Sequence, residues 1–256
     1  MRQSLFLLKE LVKRDLQSRY AGSALGLAWS FVQPLWMLLL FTFVFSTVLQ
    51  IPLTGARTAS FAVFLFCGLL PWLAIHESLL RAATAVTDNA GLVKKVRFPA
   101  EVLVLAVALG ALFHELVAGV VFLAVLVARG ELAGQGLPLL LVALPLQVAL
   151  TVGIGLLLAP LHVFFRDTVQ FLGIGLNAWF YLTPIVYPLG LVPERYRVWL
   201  ELNPLTTLVE LYRAALLDAD LPPAPRLAAL AGVAVALLAA GLWSFRRLKP
   251  AFPDHL

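Results

Sequence analysis

Six stretches of this chain, at about residues 29–50, 61–83, 100–128, 137–161, 169–188 and 227–243, are apolar over lengths that no soluble core needs. Crossing the roughly 30 Å hydrocarbon layer of a bilayer takes about 20 mostly apolar residues at about 1.5 Å each. Hydrocarbon offers no water to a backbone N–H or C=O, so a spanning segment must close its hydrogen bonds within itself, as a helix does. Of all residues, 61% are hydrophobic and 13% charged, where a soluble domain carries about 25% charged. The sequence therefore predicts an all-α integral membrane protein with six transmembrane helices. Its 17 Gly and 16 Pro lie partly inside the apolar runs, which lipid-embedded helices tolerate.

The loops set the direction of threading. Between the second and third runs lies DNAGLVKKVRFPAE, residues 88–101. Lys94, Lys95 and Arg97 alternate with Val93, Val96 and Phe98, and Pro99 closes the segment before the next run. Three cations so close together cannot sit in hydrocarbon, and the positive-inside rule places this loop in the cytoplasm. Its apolar side chains need a cover, either the lipid interface or another protein. Of the 19 Lys and Arg residues, only Arg57, Arg129, Arg195, Arg197, Arg213 and Arg226 then fall outside, and both termini are cytoplasmic. The net charge of +5 is explained by this topology and implies no nucleic-acid partner.

Residues 1–28 read as an amphipathic interface helix, with Leu5, Leu8, Val12 and Leu16 at helical spacing and Lys9, Lys13 and Arg14 on other faces. Residues 29–256 form the membrane domain, which Trp29 opens as an interface anchor and Pro34 as a kink near the start of the first span. The loop between the second and third spans covers 84–99. An outer region at 189–225 is too polar and proline-rich for one span. Within it, 196–200 and 205–217 read as two short helices at, or dipping into, the outer face. Cys67 stands alone, which excludes an internal disulfide or a Cys-cluster metal site. No cleaved signal peptide is evident, because the first apolar run is too long for a signal core.

Candidate chemistry is sparse. His114 and Glu115 lie near the middle of the third span, where an ionised group costs about 2.5–3.5 kcal/mol. Two readings stand open for them: a proton relay or substrate contact, and a neutral carboxyl and imidazole bonded to neighbouring helices. His76 and Glu77 lie nearer the cytoplasmic end of their span. Gly173, Gly175 and Ala178 match a dinucleotide-binding string, but inside an apolar helix with no preceding strand; glycine there reads better as allowing close backbone approach. The chain has no G-x-x-x-x-G-K-[ST] phosphate loop, no catalytic triad, no zinc spacing and no carboxylates paired at one depth. An intrinsic enzyme is therefore not expected, and no catalytic residue, metal or bound cofactor is predicted. Its aromatics, Trp29, Trp36, Trp72, Trp179 and Tyr181 among them, read either as an interfacial belt or as flat faces for sugar rings.

Taken together, the motifs resemble those of ABC-2 type permeases that export O-antigen, teichoic acid or capsular polysaccharide. The segment RYAGSALGLAWSFVQPLW carries the opening pattern of those proteins in Arg19, Tyr20, Gly22, Ser23, Leu25, Gly26, Trp29 and Pro34. The basic loop is similar to theirs in Asn89, Leu92, Lys94, Lys95, Phe98, Pro99 and Glu101, and Arg166 and Asp167 match an inner-turn Arg-Asp. TPIVYP, ending in Tyr187 and Pro188, and NPLTTLVELYR, which holds Asn203, Pro204, Glu210, Tyr212 and Arg213, resemble the outer re-entrant region. Phe252 and Asp254 fit the tail. The resemblance implies a homodimeric permease in a bacterial inner membrane, working with two copies of a separate ATPase subunit that binds the ATP and magnesium. It implies that 92–99 forms a coupling helix docked on the ATPase and that 203–213 belongs to an outer gate. The implied substrate is a lipid-linked polysaccharide. A permease for a small amphiphile or drug, and a membrane-embedded enzyme processing lipid-linked sugars, are the alternatives.

Overall fold

The computed structural model describes the backbone of residues 2–19, 23, 25–49, 60–95, 98–132 and 134–256, and the side chains of these except 2–5, 18, 19 and 27. Among the described residues every regular element is helical. The first helix, α1, covers Arg2–Arg19, and α2 covers Trp29–Phe41, continued by a wider π-helical stretch, Thr42–Val48. Then follow α3 (Phe61–Asp88), the short α4 (Ala90–Lys95), α5 (Glu101–Ala128) and α6 (Leu140–Phe164, entered through a 3₁₀ turn at Leu137–Leu139). After α7 (Thr168–Tyr181) come α8 (Glu194–Glu201), α9 (Pro204–Leu217), α10 (Ala224–Leu248) and a final turn, α11 (Phe252–His255).

Among the described residues, five helical segments are long and apolar enough to cross a membrane: Trp29–Val48, Phe61–Asp88, Glu101–Ala128, Leu137–Phe164 and Ala224–His255. The stretch predicted as a span at 169–188 takes another form. Its helix, α7, has 14 residues, about 21 Å of rise against about 30 Å of hydrocarbon. Pro184 ends it, since proline brings no N–H, clashes with the carbonyl four residues back and biases Thr183 away from the helical region. Of the two short helices expected beyond it, α8 is largely exposed, whereas α9 is buried along most of its length.

The core is organised around α3. In its most apolar window 78% of residues are buried, against 6% for α2, so α3 is the central helix and α2 a lateral one. Helices α5, α6, α7 and α9 pack against α3, and α10 lies along α6. Lipid is as apolar as leucine, so close packing rather than water exclusion holds such helices together, and small residues let backbones meet. Gly153 faces α10: a Cβ there would lie 2.6 Å from the Leu238 nitrogen, and one at Gly241 would lie 2.5 Å from the Gly153 carbonyl oxygen. Gly155, about 200° further round the helix, faces Val104 and Ala82, 2.9 and 3.0 Å from its would-be Cβ. These glycines make the crossings. Gly173 and Gly175, the pair the sequence suggested for close approach, have no heavy atom within 4 Å of a would-be Cβ, so neither makes a close crossing among the described residues.

Two apolar clusters result. One joins α3 to α6, α7 and α9. The other gathers Leu11 of α1, Val86 of α3, Val104 of α5, Val163 of α6, and Phe245 and Phe252 at the C-terminal end. Leu7, Leu8 and Val12 pack against this second cluster, while Lys9, Lys13 and Arg14 are exposed, matching the predicted polarity of α1.

Replacing Gly153 by Leu should drive α6 and α10 apart at a cost of at least about 1–3 kcal/mol, seen as a lowered Tm and a smaller monodisperse fraction in detergent. Gly232→Leu is the control, since nothing lies within 4 Å of that position. It should leave both readings unchanged.

Candidate functional site

At the root of the basic loop, one asparagine ties three helices together. The Asn89 carbonyl oxygen accepts from the Leu92 and Val93 N–H groups at 2.9 and 3.0 Å, starting α4. Its side-chain nitrogen donates to the Ala85 carbonyl on α3 at 2.8 Å, and its Oδ1 accepts from Arg14 of α1 at 2.6 Å. About two turns before Asn89, Arg81 of α3 forms an ion pair with Asp15 of α1 and a second, at 3.5 Å, with Glu77. The basic loop is thus fixed at its root to both α1 and α3.

Of the loop residues, Lys94 and Lys95 are exposed, and Leu92 and Val93 are half-buried. The helix ends at Lys95 rather than running through 92–99. Pro99 disfavours helical geometry at Phe98, so the chain leaves the helix before the proline. Val96 and Arg97 lie outside the described residues, as do Tyr20 and the side chain of Arg19. Phe98, like Val93, packs against the inner apolar cluster, so the chain itself supplies part of the cover these side chains need. The far end of the loop is held by the tail. Lys249 Nζ donates to the Phe98 carbonyl at 3.0 Å and to Glu101 at 3.2 Å, and Arg246 lies 3.5 Å from the same carboxylate. Glu101 stands in the first turn of α5, where a helix favours negative charge. Phe252 is fully buried, packed edge-on against Phe245 at 5.4 Å.

The other candidate positions are less engaged. Trp29 is exposed, Pro34 lies inside α2, and Arg166 and Asp167 are exposed in the turn between α6 and α7. A mostly apolar cavity of about 490 Å³ opens between α2, α3 and α5, lined by Trp36, Phe66, Leu70, Glu77, His114 and Glu115 among others.

A second polar centre surrounds α9. Arg213 is buried and donates to the Pro184 and Ile185 carbonyls, both at 2.8 Å, with its guanidinium 3.6 Å from the centre of the Phe64 ring. Gly68 makes the room: a Cβ there would lie 2.9 Å from Arg213 Nη2. Asn203 caps α9, accepting from the Leu205 N–H at 3.1 Å and from Trp179 Nε1 at 2.9 Å, while donating to the Leu182 carbonyl at 3.2 Å and Thr183 Oγ1 at 2.9 Å. Pro204 fills the first helical position, where its missing N–H costs nothing. Glu210 pairs with Arg226 at the start of α10, 2.7 Å away. Burial pushes its carboxyl above the ordinary range, opposed by the charges of Arg226 and Arg213. Tyr187 Oη donates to the Tyr181 carbonyl at 2.7 Å, folding the chain back beyond α7; Pro188 follows in extended conformation. Tyr212 reaches inward to Glu115 and Gln147 at 2.6 and 2.5 Å. Gln147 was not singled out from the sequence; an isolated amide in the apolar run of α6 was its only signal. Glu115 bonds to neighbouring helices, whereas His114 Nδ1 lies 2.9 Å from the Gly110 carbonyl of its own helix, and both residues line the cavity. Among the described residues no group of His, Cys, Asp and Glu is placed to hold a metal ion.

Comparison with known proteins places this architecture. The ABC-2 type transporter family profile matches residues 7–217. The chain belongs to the ABC-2 type transporter family. It is 33% identical over 252 residues to the O-antigen export system permease protein RfbA of Myxococcus xanthus, covering 98% of this chain and 95% of that one. To the Klebsiella pneumoniae protein of the same name it is 29% identical, again over 98% and 95%. The polysialic acid transport protein KpsM of Escherichia coli is 26% identical, over 94% of this chain and 93% of its own. As an ABC-2 family member this chain is a multi-pass membrane transporter protein, and the two polar centres lie within or beside the matched region.

Substituting Asn203 by Ala removes a helix cap worth about 1 kcal/mol and leaves the Trp179 N–H and the Leu182 carbonyl without their partner. We expect a combined loss of about 2–3 kcal/mol, read as a lowered Tm of the purified protein. Asn203→Asp, which can still cap but cannot donate, should fall between the two.

Proposed function

We propose that the chain is the permease subunit of an ATP-driven exporter that moves a lipid-linked polysaccharide out of the cytoplasm. It does so as a homodimer paired with two copies of a separate ATPase subunit, in a bacterial inner membrane with both termini cytoplasmic. The observation that carries this reading is the rooting of the basic loop. Asn89 joins α4 directly to α3, the most enclosed helix, and α3 in turn contacts α9 through Gly68. A push on α4 from a cytoplasmic partner therefore reaches the buried polar centre through one rigid element. Such a push shifts the balance between two packed arrangements only if the partner binds them unequally, as an ATPase does between its nucleotide states. The names of the relatives support polysaccharide as the cargo, and the absence of a phosphate loop from the sequence supports a separate ATPase.

On this reading Leu92, Val93, Lys94, Lys95 and Phe98 form the coupling surface, Pro99 and Glu101 hold its far end, and Arg14 and α1 brace it. Arg213, Asn203, Tyr212 and Glu210 hold the gate element α9. The cavity between α2, α3 and α5 supports a second reading, a permease for a small amphiphile, since its size falls in the range of about 300–1,000 Å³ common for ligand sites.

The first test is to purify the tagged permease gently from its own host and identify the proteins that accompany it. A stoichiometric ATPase supports the coupling reading; its absence, with the loop intact, overturns it. Phe98→Ala should lower permease-stimulated ATPase activity and glycan export by about 5–150-fold, the range of a 1–3 kcal/mol coupling, with membrane insertion and dimerisation unchanged. Wild-type export by this variant would refute the assigned role of Phe98. A host lacking the permease that still builds its surface glycan but loses resistance to an amphiphile would favour the second reading.

A further inference from the structure

Glu115 of α5, Gln147 of α6 and Tyr212 of α9 form a closed ring, and all three side chains are buried. Tyr212 Oη lies 2.6 Å from Glu115 Oε1 and 2.5 Å from Gln147 Oε1, and Gln147 Nε2 lies 2.5 Å from Glu115 Oε2. Three contacts this short need three protons. The phenol brings one O–H, and the carboxamide, turned so that one end meets each neighbour, contributes N–H to only one contact. Turning Gln147 end for end, a choice that heavy-atom positions leave open, moves the missing proton from the Tyr212 contact to the Glu115 contact without supplying it. The third proton must come from the carboxyl. With it, every member donates once and accepts once: Glu115 to Tyr212, Tyr212 to Gln147, and Gln147 to Glu115.

We propose that Glu115 carries a proton as a hydrogen-bond donor, and that the neutral ring it closes with Gln147 and Tyr212 is the latch that fastens α9 to the spanning helices α5 and α6. A carboxylic acid kept neutral in an apolar site so that it can donate is an established chemical device. An ionised Glu115 would leave Tyr212 with one O–H and two acceptors, setting oxygen against oxygen where no water compensates.

The neighbouring charged and ionisable groups are engaged elsewhere. His114, beside Glu115 on α5, turns Nδ1 to Gly110. On α9, Arg213 is spent on the Pro184 and Ile185 carbonyls, and Glu210 on Arg226. On α3, Glu77 pairs with Arg81 and Cys67 is a buried thiol. Helix α2 brings only the uncharged Ser30, Gln33 and apolar side chains to the cavity that Glu115 also lines. Loss of the proton therefore opens the ring, and the latch holds at lower pH and weakens as pH rises.

The test compares wild type, Glu115→Gln and Tyr212→Phe as whole chains in lipid nanodiscs. Wild type at neutral pH should show the infrared carbonyl stretch of a protonated carboxyl, absent from Glu115→Gln. Glutamine at 115 supplies the third N–H, so its Tm should stay within about 2 °C of wild type, whereas Tyr212→Phe should lower Tm by about 4 °C or more. In Tyr212→Phe the carboxyl band should move to higher frequency as its acceptor is lost. Identical carboxyl regions in wild type and Glu115→Gln, or a Tm loss in Glu115→Gln as large as in Tyr212→Phe, would overturn the proposal.

Discussion

A break in a helix inside a membrane frees carbonyls that no water can reach, and the fold depends on what takes them. The chain leaves its helix after Tyr181, and the carbonyls of Leu182, Pro184 and Ile185 would each be left unpaired at a cost of several kcal/mol. Asn203 takes the first and Arg213 the other two. Both belong to α9, so the break and the helix that repairs it are one unit. Neither can be in place without the other.

That unit needs space next to α3, and Gly68 provides it. The guanidinium sits against the glycine and over the Phe64 ring, a cation held by dipoles and a π face instead of a carboxylate. An acid at that point would have bound Arg213 more tightly, but would have left the Pro184 and Ile185 carbonyls unanswered. Helix α9 is therefore joined to the spanning helices by directional contacts of moderate strength. An element held that way has a well-defined position.

Much of this was legible in the sequence. Runs of 20 or more apolar residues announce themselves by length alone, and the polarity of α1 follows from the spacing of Leu8, Val12 and Leu16 against Lys9, Lys13 and Arg14. The basic loop stood out because cations cannot enter hydrocarbon. The burial of α9 was not legible, because Asn203, Glu210 and Arg213 look like surface residues until their partners are known, and the carbonyls that accept from Arg213 lie 28 and 29 positions away. The same holds for Glu115, whose partners are 32 and 97 positions distant. Glycine spacing misled for a related reason. A small residue marks a close crossing only if another helix is there, which is true of Gly153 and Gly241 and untrue of Gly173.

The tail's grip on the loop bears on how the protein is made. Lys249 and Phe252 leave the ribosome some 150 residues after the loop whose far side they hold. Until they arrive, the Phe98 carbonyl and the Glu101 carboxylate lack the lysine that joins them. A nascent chain therefore inserts its early helices with the loop still loose, and the loop reaches its final geometry only when the C-terminal helix has docked. Assembly with any partner that recognises that geometry is deferred, by the order of synthesis alone, to chains whose tail has already folded.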